Sequence, residues 1–299
     1  MTPAVGSVEA GIALALVGAV MANFASLLKH RGCQQVPLVR IQAPLQSARR
    51  LAASPWFAAG WGIAAAAWLM HVAALSLAPI SLVQAALAGG AVSLAVLSQR
   101  LFGHAVEPRQ WLALLLGGAG LALLALTLPR IDGSHSQFAL AAILGFEGGL
   151  GLLILTLTFG YRRFSARRGA LQAVIAGSLF AFAGVAIKAL MGEGDLSPLI
   201  LAPWIALIVA CGALAQYSAV SALQRGGAIE TIGLMGLVAS AAQILSGVIV
   251  FGDPMASGTV GIGLQATAFG LVCISALLLP PSRSGEGQRR TRPLIVRPA

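Results

Sequence analysis

Apolar residues fill nine long blocks of this chain, and polar residues gather in the short stretches between them. The blocks cover roughly 7–28, 56–77, 80–99, 110–128, 137–160, 169–190, 202–223, 228–250 and 258–279. Each block is predicted to be a helix. At about 1.5 Å rise per residue, each can cross a hydrocarbon core ~30 Å thick. Pro79 marks a very short turn between the second and third helices. Two segments are not spans. Within 36–52, Leu38, Ile41, Leu45, Ala48 and Leu51 fall at helical spacing among Arg40, Gln46, Arg49 and Arg50. That pattern fits a short helix on the inner leaflet, or equally a solvated loop interrupted by Pro44. Residues 280–299, rich in Pro, Ser, Gly and Arg, read as a disordered cytoplasmic tail that meets anionic lipid.

Composition narrows the class. Of 299 residues, 58% are hydrophobic and only 9% charged, and the mean hydropathy is +0.89. No soluble core of this size hides so much apolar side chain, which excludes a cytosolic enzyme, a secreted domain and a disordered chain. The 36 glycines and the 6% aromatic content fit close-packed membrane helices, not a β-barrel. The expected fold is an all-α integral membrane protein.

The net charge of +10 does not point to nucleic acid, because the basic residues lie in short loops where they set orientation. Seventeen of the 19 Lys and Arg residues follow odd-numbered helices, from Lys29, Arg31, Arg40, Arg49 and Arg50 after the first to the five arginines of the tail. The even-side loops hold Arg130 with Asp132, Glu193, Asp195 and Asp253, and Lys188 lies near the end of the sixth helix. The alternation supports nine spans, with the N-terminus outside and the C-terminus cytoplasmic. The Ala/Gly/Arg-rich composition suggests a bacterial inner membrane. Cys33, Cys211 and Cys273 form no C-x-x-C pair, so neither a disulfide framework nor a zinc site is indicated. The first block is long and is followed by Lys29-His30-Arg31, so it reads as a retained helix and not a cleaved signal.

The second half of the chain echoes the first. Gly18 through Lys29 aligns with Gly177 through Lys188 at one constant offset. Pro55-Trp56 and Pro203-Trp204 open the second and seventh helices. Phe102-Gly103 with Glu107-Pro108, and Phe251-Gly252-Asp253-Pro254, end the third and eighth, while Gly117 matches Gly263. The layout expected is a first repeat over 1–134, a linking fifth helix with a basic loop over 135–168, a second repeat over 169–279, and the tail. Four spans return the chain to its starting side and the fifth crosses once, so the second repeat enters inverted. Inverted repeats that exchange shapes are the geometric basis of alternating access, with a substrate site near the midplane.

This order of features resembles the drug/metabolite transporter superfamily with its EamA-type repeats. The carrying residues are Phe251-Gly252-Asp253-Pro254 and the glycine-spaced last helix with Gly261, Gly263 and Gly270. In layout the chain is most similar to NIPA-type magnesium transporters, through Ser26–Gly32, Ala78–Val83 and Gly184–Leu190. The resemblance covers most of 7–279. It implies transport of a small solute, with magnesium or another cation as one substrate. Where the NIPA pattern has an acidic residue and an amide on the second helix, this chain has Trp68 and His71. Magnesium demands hard oxygen ligands, so that departure counts against the metal.

Among candidate site residues Glu147 leads. It lies mid-bilayer in the fifth helix, where a carboxylate usually lines a polar cavity, and a proton-coupling role follows. Gly145, Gly148, Gly149 and Gly151 beside it would permit close helix approach. The plainer alternative is a neutral Glu bonded to a neighbouring helix. Lys188 would pair with Glu147 or draw an anionic group, or else snorkel to the outer interface or pair with Glu193 or Asp195. His71 would titrate near neutrality or serve as a structural histidine. Asn23, Gln84, Gln216, Tyr217 and Gln243 would line a pathway or make interhelical hydrogen bonds. Trp61 and Trp68 would face an organic cation or pack toward lipid. Glu230 begins the eighth helix and complements its dipole, and Lys29 reads as an inner-boundary topology residue.

No G-x-S-x-G, H-E-x-x-H, Walker loop or metal cluster occurs, so no enzyme and no resident cofactor is expected, and transport would be secondary and not ATP-driven. The expected partners are membrane lipids, a small-molecule or cation substrate, and a second copy as a homodimer. The leading expectation is a secondary transporter of a small solute, with magnesium or another cation as one candidate substrate. The alternatives are a proton-coupled exporter of an organic metabolite or drug, and a non-transporting scaffold or lipid-handling protein.

Overall fold

The computed structural model describes residues 5–40, 42–78, 80–103, 105–127, 138–160, 168–192, 198–252, 256 and 258–279. Outside them lie the tail, Pro79, Arg130, Asp132, the basic loop with Arg162, Arg163 and Arg167, Glu193, Asp195, and the Asp253-Pro254 pair. The described chain is helical, with no strand among the described residues. Its elements are α1 (Val5–Cys33), α2 (Pro44–Ala52), α3 (Pro55–Leu77), α4 (Ile80–Gly89), α5 (Ala91–Phe102), α6 (Pro108–Thr127), α7 (Leu140–Gly160), α8 (Arg168–Gly192), α9 (Pro198–Arg225), α10 (Ala228–Ile249) and α11 (Thr259–Leu278). Six helices (α1, α3, α7, α8, α9 and α10) are long and apolar enough to cross a membrane. The chain fits a multi-pass membrane protein.

Four elements differ from the sequence expectation. The third apolar block is two helices, α4 and α5, meeting at Gly90. A Cβ at Gly90 would collide with the Cβ of Ala19, so α1 approaches here as only glycine allows. The Gly90 carbonyl takes the Ser93 backbone N–H at 2.9 Å and also accepts from Asn23 Nδ2 at 2.8 Å and from Ser93 Oγ at 2.6 Å, and Asn23 reaches Ser93 Oγ at 3.0 Å. Second, α1 continues through Cys33, so Lys29 and Arg31 are helical residues and not loop residues. The Arg31 guanidinium lies 3.9 Å from the Trp56 ring centroid, which anchors that last turn. Third, of the two readings of 36–52, a short helix and a loop interrupted by Pro44, a helix forms only from Pro44 on, where the missing N–H of proline costs nothing in the first turn. Leu51 is buried under α2 while Leu45 points out. Fourth, α9 begins at Pro198 and carries Pro203 inside, giving up one backbone hydrogen bond near its start.

Packing follows pairs. α1 lies chiefly against α3, α8 against α9 and α10, and α6 against α11. Glycines set the distances. A Cβ at Gly60 would fall 2.8 Å from the Ala25 carbonyl, one at Gly177 2.6 Å from that of Met235, and one at Gly120 2.8 Å from that of Ala268. Such approaches are how apolar helices gain dispersion contacts in lipid, where no hydrophobic force draws them together. α7 behaves otherwise. Only 11% of its apolar window is buried. Gly145, Gly148, Gly149 and Gly151 have open space where a Cβ would stand. The expected close helix approach around Glu147 is absent, because α7 is a peripheral helix resting mainly on α8.

Helix directions can be read from contacts at the helix ends. The end of α1 meets the end of α9, where Gln34 Nε2 donates to the Leu223 carbonyl at 2.9 Å. The end of α8 meets the end of α3, where Lys188 Nζ donates to the Leu75 carbonyl at 2.9 Å. α1 runs antiparallel to α3, since Gly60 faces Ala25 while Gly11 faces Leu77 and Ala78. α1 and α8 therefore point in opposite directions.

Candidate functional site

A cavity of about 360 Å³ opens in the centre of the bundle. Its walls come from α1, α3, α4, α5, α6, α8, α9, α10 and α11. The size falls within the usual range of small-molecule sites. Along α1 the lining residues are Gly18, Ala19, Ala22, Asn23, Ser26 and Lys29, one stripe at helical spacing. Small side chains leave this face of α1 open. From α3 come Ala64, Ala67, Trp68 and His71; from α8, Phe180, Ala183, Gly184 and Ile187. Gln216 of α9, Ser240 and Gln243 of α10 and Ser275 of α11 add polar groups.

The structure sorts the candidates into three sets. Asn23, Trp68, His71, Gln216 and Gln243 line the cavity. Of these, Asn23 has its amide committed to the α4–α5 break. Gln243 is 5% exposed and lies flat on Gly184, where any Cβ would meet its Oε1 at 2.6 Å. His71 presents a buried Nδ1 that has no hydrogen-bond partner among the described residues. Trp68, at mid-height of α3, lines the cavity and is 50% exposed.

The second set lies away from the cavity. Glu147 is buried on α7, with Oε1 accepting no hydrogen bond among the described residues. Its electrostatic neighbour is Cys211 of α9, not a cavity group. Lys188, fully buried, spends its ammonium on the Leu75 and Ala78 carbonyls at 2.9 and 3.4 Å. It neither pairs with Glu147 nor snorkels outward, and the other expected partners, Glu193 and Asp195, lie outside the described residues. These carbonyls end α3, where the helix dipole concentrates negative charge, so a buried ammonium is well placed there. Tyr217 packs against the apolar cluster around Leu223 and Ile229. Trp61, 45% exposed, faces outward. Glu230 Oε2 accepts from Gly227 N at 3.5 Å, at the start of α10. The side chain of Gln84 lies outside the described residues.

The third set is what the sequence reading passed over. Lys29 lines the cavity. Gly60 makes room for its stem, since a Cβ there would sit 2.8 Å from Lys29 Cγ. The signal was available in the alignment of Lys29 with Lys188, but a cation at the end of an apolar run was read as a loop charge. A second omission is the polar cluster at the far end of α9. Gln34 donates to Leu223 O and His30 Nε2 lies 3.4 Å from Gly226 O. Gln224 Oε1 accepts from Val39 N at 2.9 Å, and its Nε2 donates to Pro37 O at 3.1 Å.

Lys29 is the only charged residue among the described lining residues; no Asp or Glu joins it. No group of three or more His, Cys, Asp or Glu able to hold a metal occurs among the described residues. No family model, curated protein or solved structure matches the chain.

Proposed function

We propose that this chain is a secondary transporter that carries a small organic solute through the central cavity by alternating access. The observation that carries the reading is a cavity of about 360 Å³ walled by helices of both halves, largely apolar, with a few polar groups converging on it. The opposite directions of α1 and α8 support an inverted relation between 1–134 and 169–279. So does a correspondence at the helix ends. Counting from Pro55 and Pro203, Leu75 matches Leu223 and Ala78 matches Gly226. Those four carbonyls are the ones held by Lys188 in one half and by Gln34 and His30 in the other. Inverted halves with like contacts at opposite ends are what an exchange of inward-open and outward-open shapes requires.

The nine-span count is part of this proposal, with α4 and α5 acting together as the third span and α2 lying at the basic face. So are membership of the drug/metabolite transporter superfamily, the bacterial inner membrane, and an outside N-terminus with a cytoplasmic C-terminus. The lining favours an organic solute over magnesium, because hard oxygen ligands in the form of carboxylates are missing among the described lining residues. Glu147 lies outside the lining, so proton coupling through it is not part of the proposal.

The test is reconstitution of the full chain in liposomes with a gradient of candidate solutes. Uptake that saturates, needs no nucleotide, and falls on bulky substitution of the α1 stripe (Ala22→Trp) is the expected result. Absence of saturable flux for every solute class, with ligand binding intact, would instead make the chain a lipid-handling or scaffold protein.

A further inference from the structure

The cavity combines a long shape, apolar walls and one cation at an end. Its lining on α1 runs eleven residues from Gly18 to Lys29, about 16 Å at 1.5 Å per residue. Lys29 stands at the level of Gly60 near the start of α3, while His71 lies across from the region of Gly18, since Gly18 faces Ala67 and Met70. Between these levels the walls are mostly Ala, Gly and Leu.

The two aligned lysines differ in what holds them. Lys188 is saturated by helix-end carbonyls. No hydrogen bond or ion pair among the described residues engages the Lys29 ammonium, and no carboxylate shares its cavity. A cation in apolar surroundings is costly without an anion or water beside it. The same cation repels organic cations and metal ions entering the cavity. Trp68 adds a surface. Half-exposed at mid-helix and lining the cavity, it offers an aromatic face against which an apolar chain can lie.

From this juxtaposition we infer that the cavity takes an amphipathic organic anion, whose carboxylate or phosphate head sits on Lys29 and whose apolar chain runs along the α1 stripe toward Trp68 and His71. The inference rests on the transport reading only in calling that anion a substrate; the binding site stands without it.

The experiment uses the full chain in lipid nanodiscs and follows quenching of tryptophan fluorescence by ω-bromodecanoate, ω-bromodecyl phosphate and the uncharged ω-bromodecanol. Saturable quenching by an anionic probe is expected, displaced by unlabelled decanoate and lost in Trp68→Phe. Lys29→Gln should raise the half-saturating concentration of the anions roughly tenfold and that of the alcohol by less than about twofold. Lys29→Arg should stay within about threefold of the parent, because the charge is kept. The head group that saturates at lower concentration, carboxylate or phosphate, names the source. Bromodecanol saturating as readily as the anions on the unaltered chain would overturn the inference without any variant. So would Lys29→Gln that elutes and melts like the parent and binds the anions unchanged. Failure of flux with binding intact sinks transport and leaves this site; saturable flux of an uncharged solute, indifferent to Lys29, does the reverse.

Discussion

The two ends of the bundle solve one problem with different chemistry. At each end the last carbonyls of a helix, Leu75 and Ala78 on α3 or Leu223 and Gly226 on α9, must find donors away from water. The α3 end uses a single ammonium, Lys188, with no exposed surface. The α9 end uses the exposed Gln34 amide on Leu223 and the buried His30 ring beside Gly226, while Gln224 ties down the chain after α1 through Val39 N and Pro37 O. A buried ammonium is strong and brittle, because solvent does not readily take its place. An exposed amide such as that of Gln34 is individually weak, yet it can exchange with solvent at little cost. The α9 end is therefore the easier one to part.

That contrast can be broken by substitution. The largest effect belongs to Lys188→Met. It strips two buried carbonyls of their donor and should lower stability by about 3 kcal/mol in thermal unfolding of the detergent-solubilised chain. A loss below about 1 kcal/mol would show that water reaches the α3 end after all. Next, Gly177→Ala pushes α8 off the Met235 carbonyl and should cost about 2 kcal/mol, whereas Gly148→Ala on α7 should be neutral or slightly stabilising. Asn23→Ala should cost about 1 kcal/mol and speed amide hydrogen exchange around Gly90 and Ser93. Smallest is Gln34→Ala, at about 0.5 kcal/mol, with faster exchange confined to the last turn of α9. If Gln34→Ala proved as damaging as Lys188→Met, the two ends would be equivalent and the asymmetry would be lost.

Much of the architecture was legible because lipid imposes it. A block of about 20 apolar residues has few options but a helix, and all nine blocks are helical. The break at Gly90 was not legible. Gly89-Gly90 lies within an uninterrupted apolar run, and only the closeness of Ala19, a tertiary fact, makes the break. Glu147 was singled out by depth alone. Depth fixes the cost of a carboxyl group but not its azimuth, and the azimuth takes it to the α7 side, away from the cavity. Lys29 was misjudged for the opposite reason. Its distance along the chain suggested an interface, while four further residues of α1 and the missing side chain of Gly60 draw it inward. His71, Gln216 and Gln243 read from the sequence as polar groups within apolar runs, and their convergence on one cavity is visible only when three separate helices are assembled.

The interruption between α4 and α5 has a mechanical meaning. A continuous span tilts as one rod, carrying both its ends through equal and opposite arcs. Two rods sharing a single-residue joint can swing separately, so displacement at one membrane face need not be transmitted to the other. The joint is pinned by Asn23 from α1. The weakest point of the third apolar block is thus held from outside by one amide that also forms part of the cavity wall.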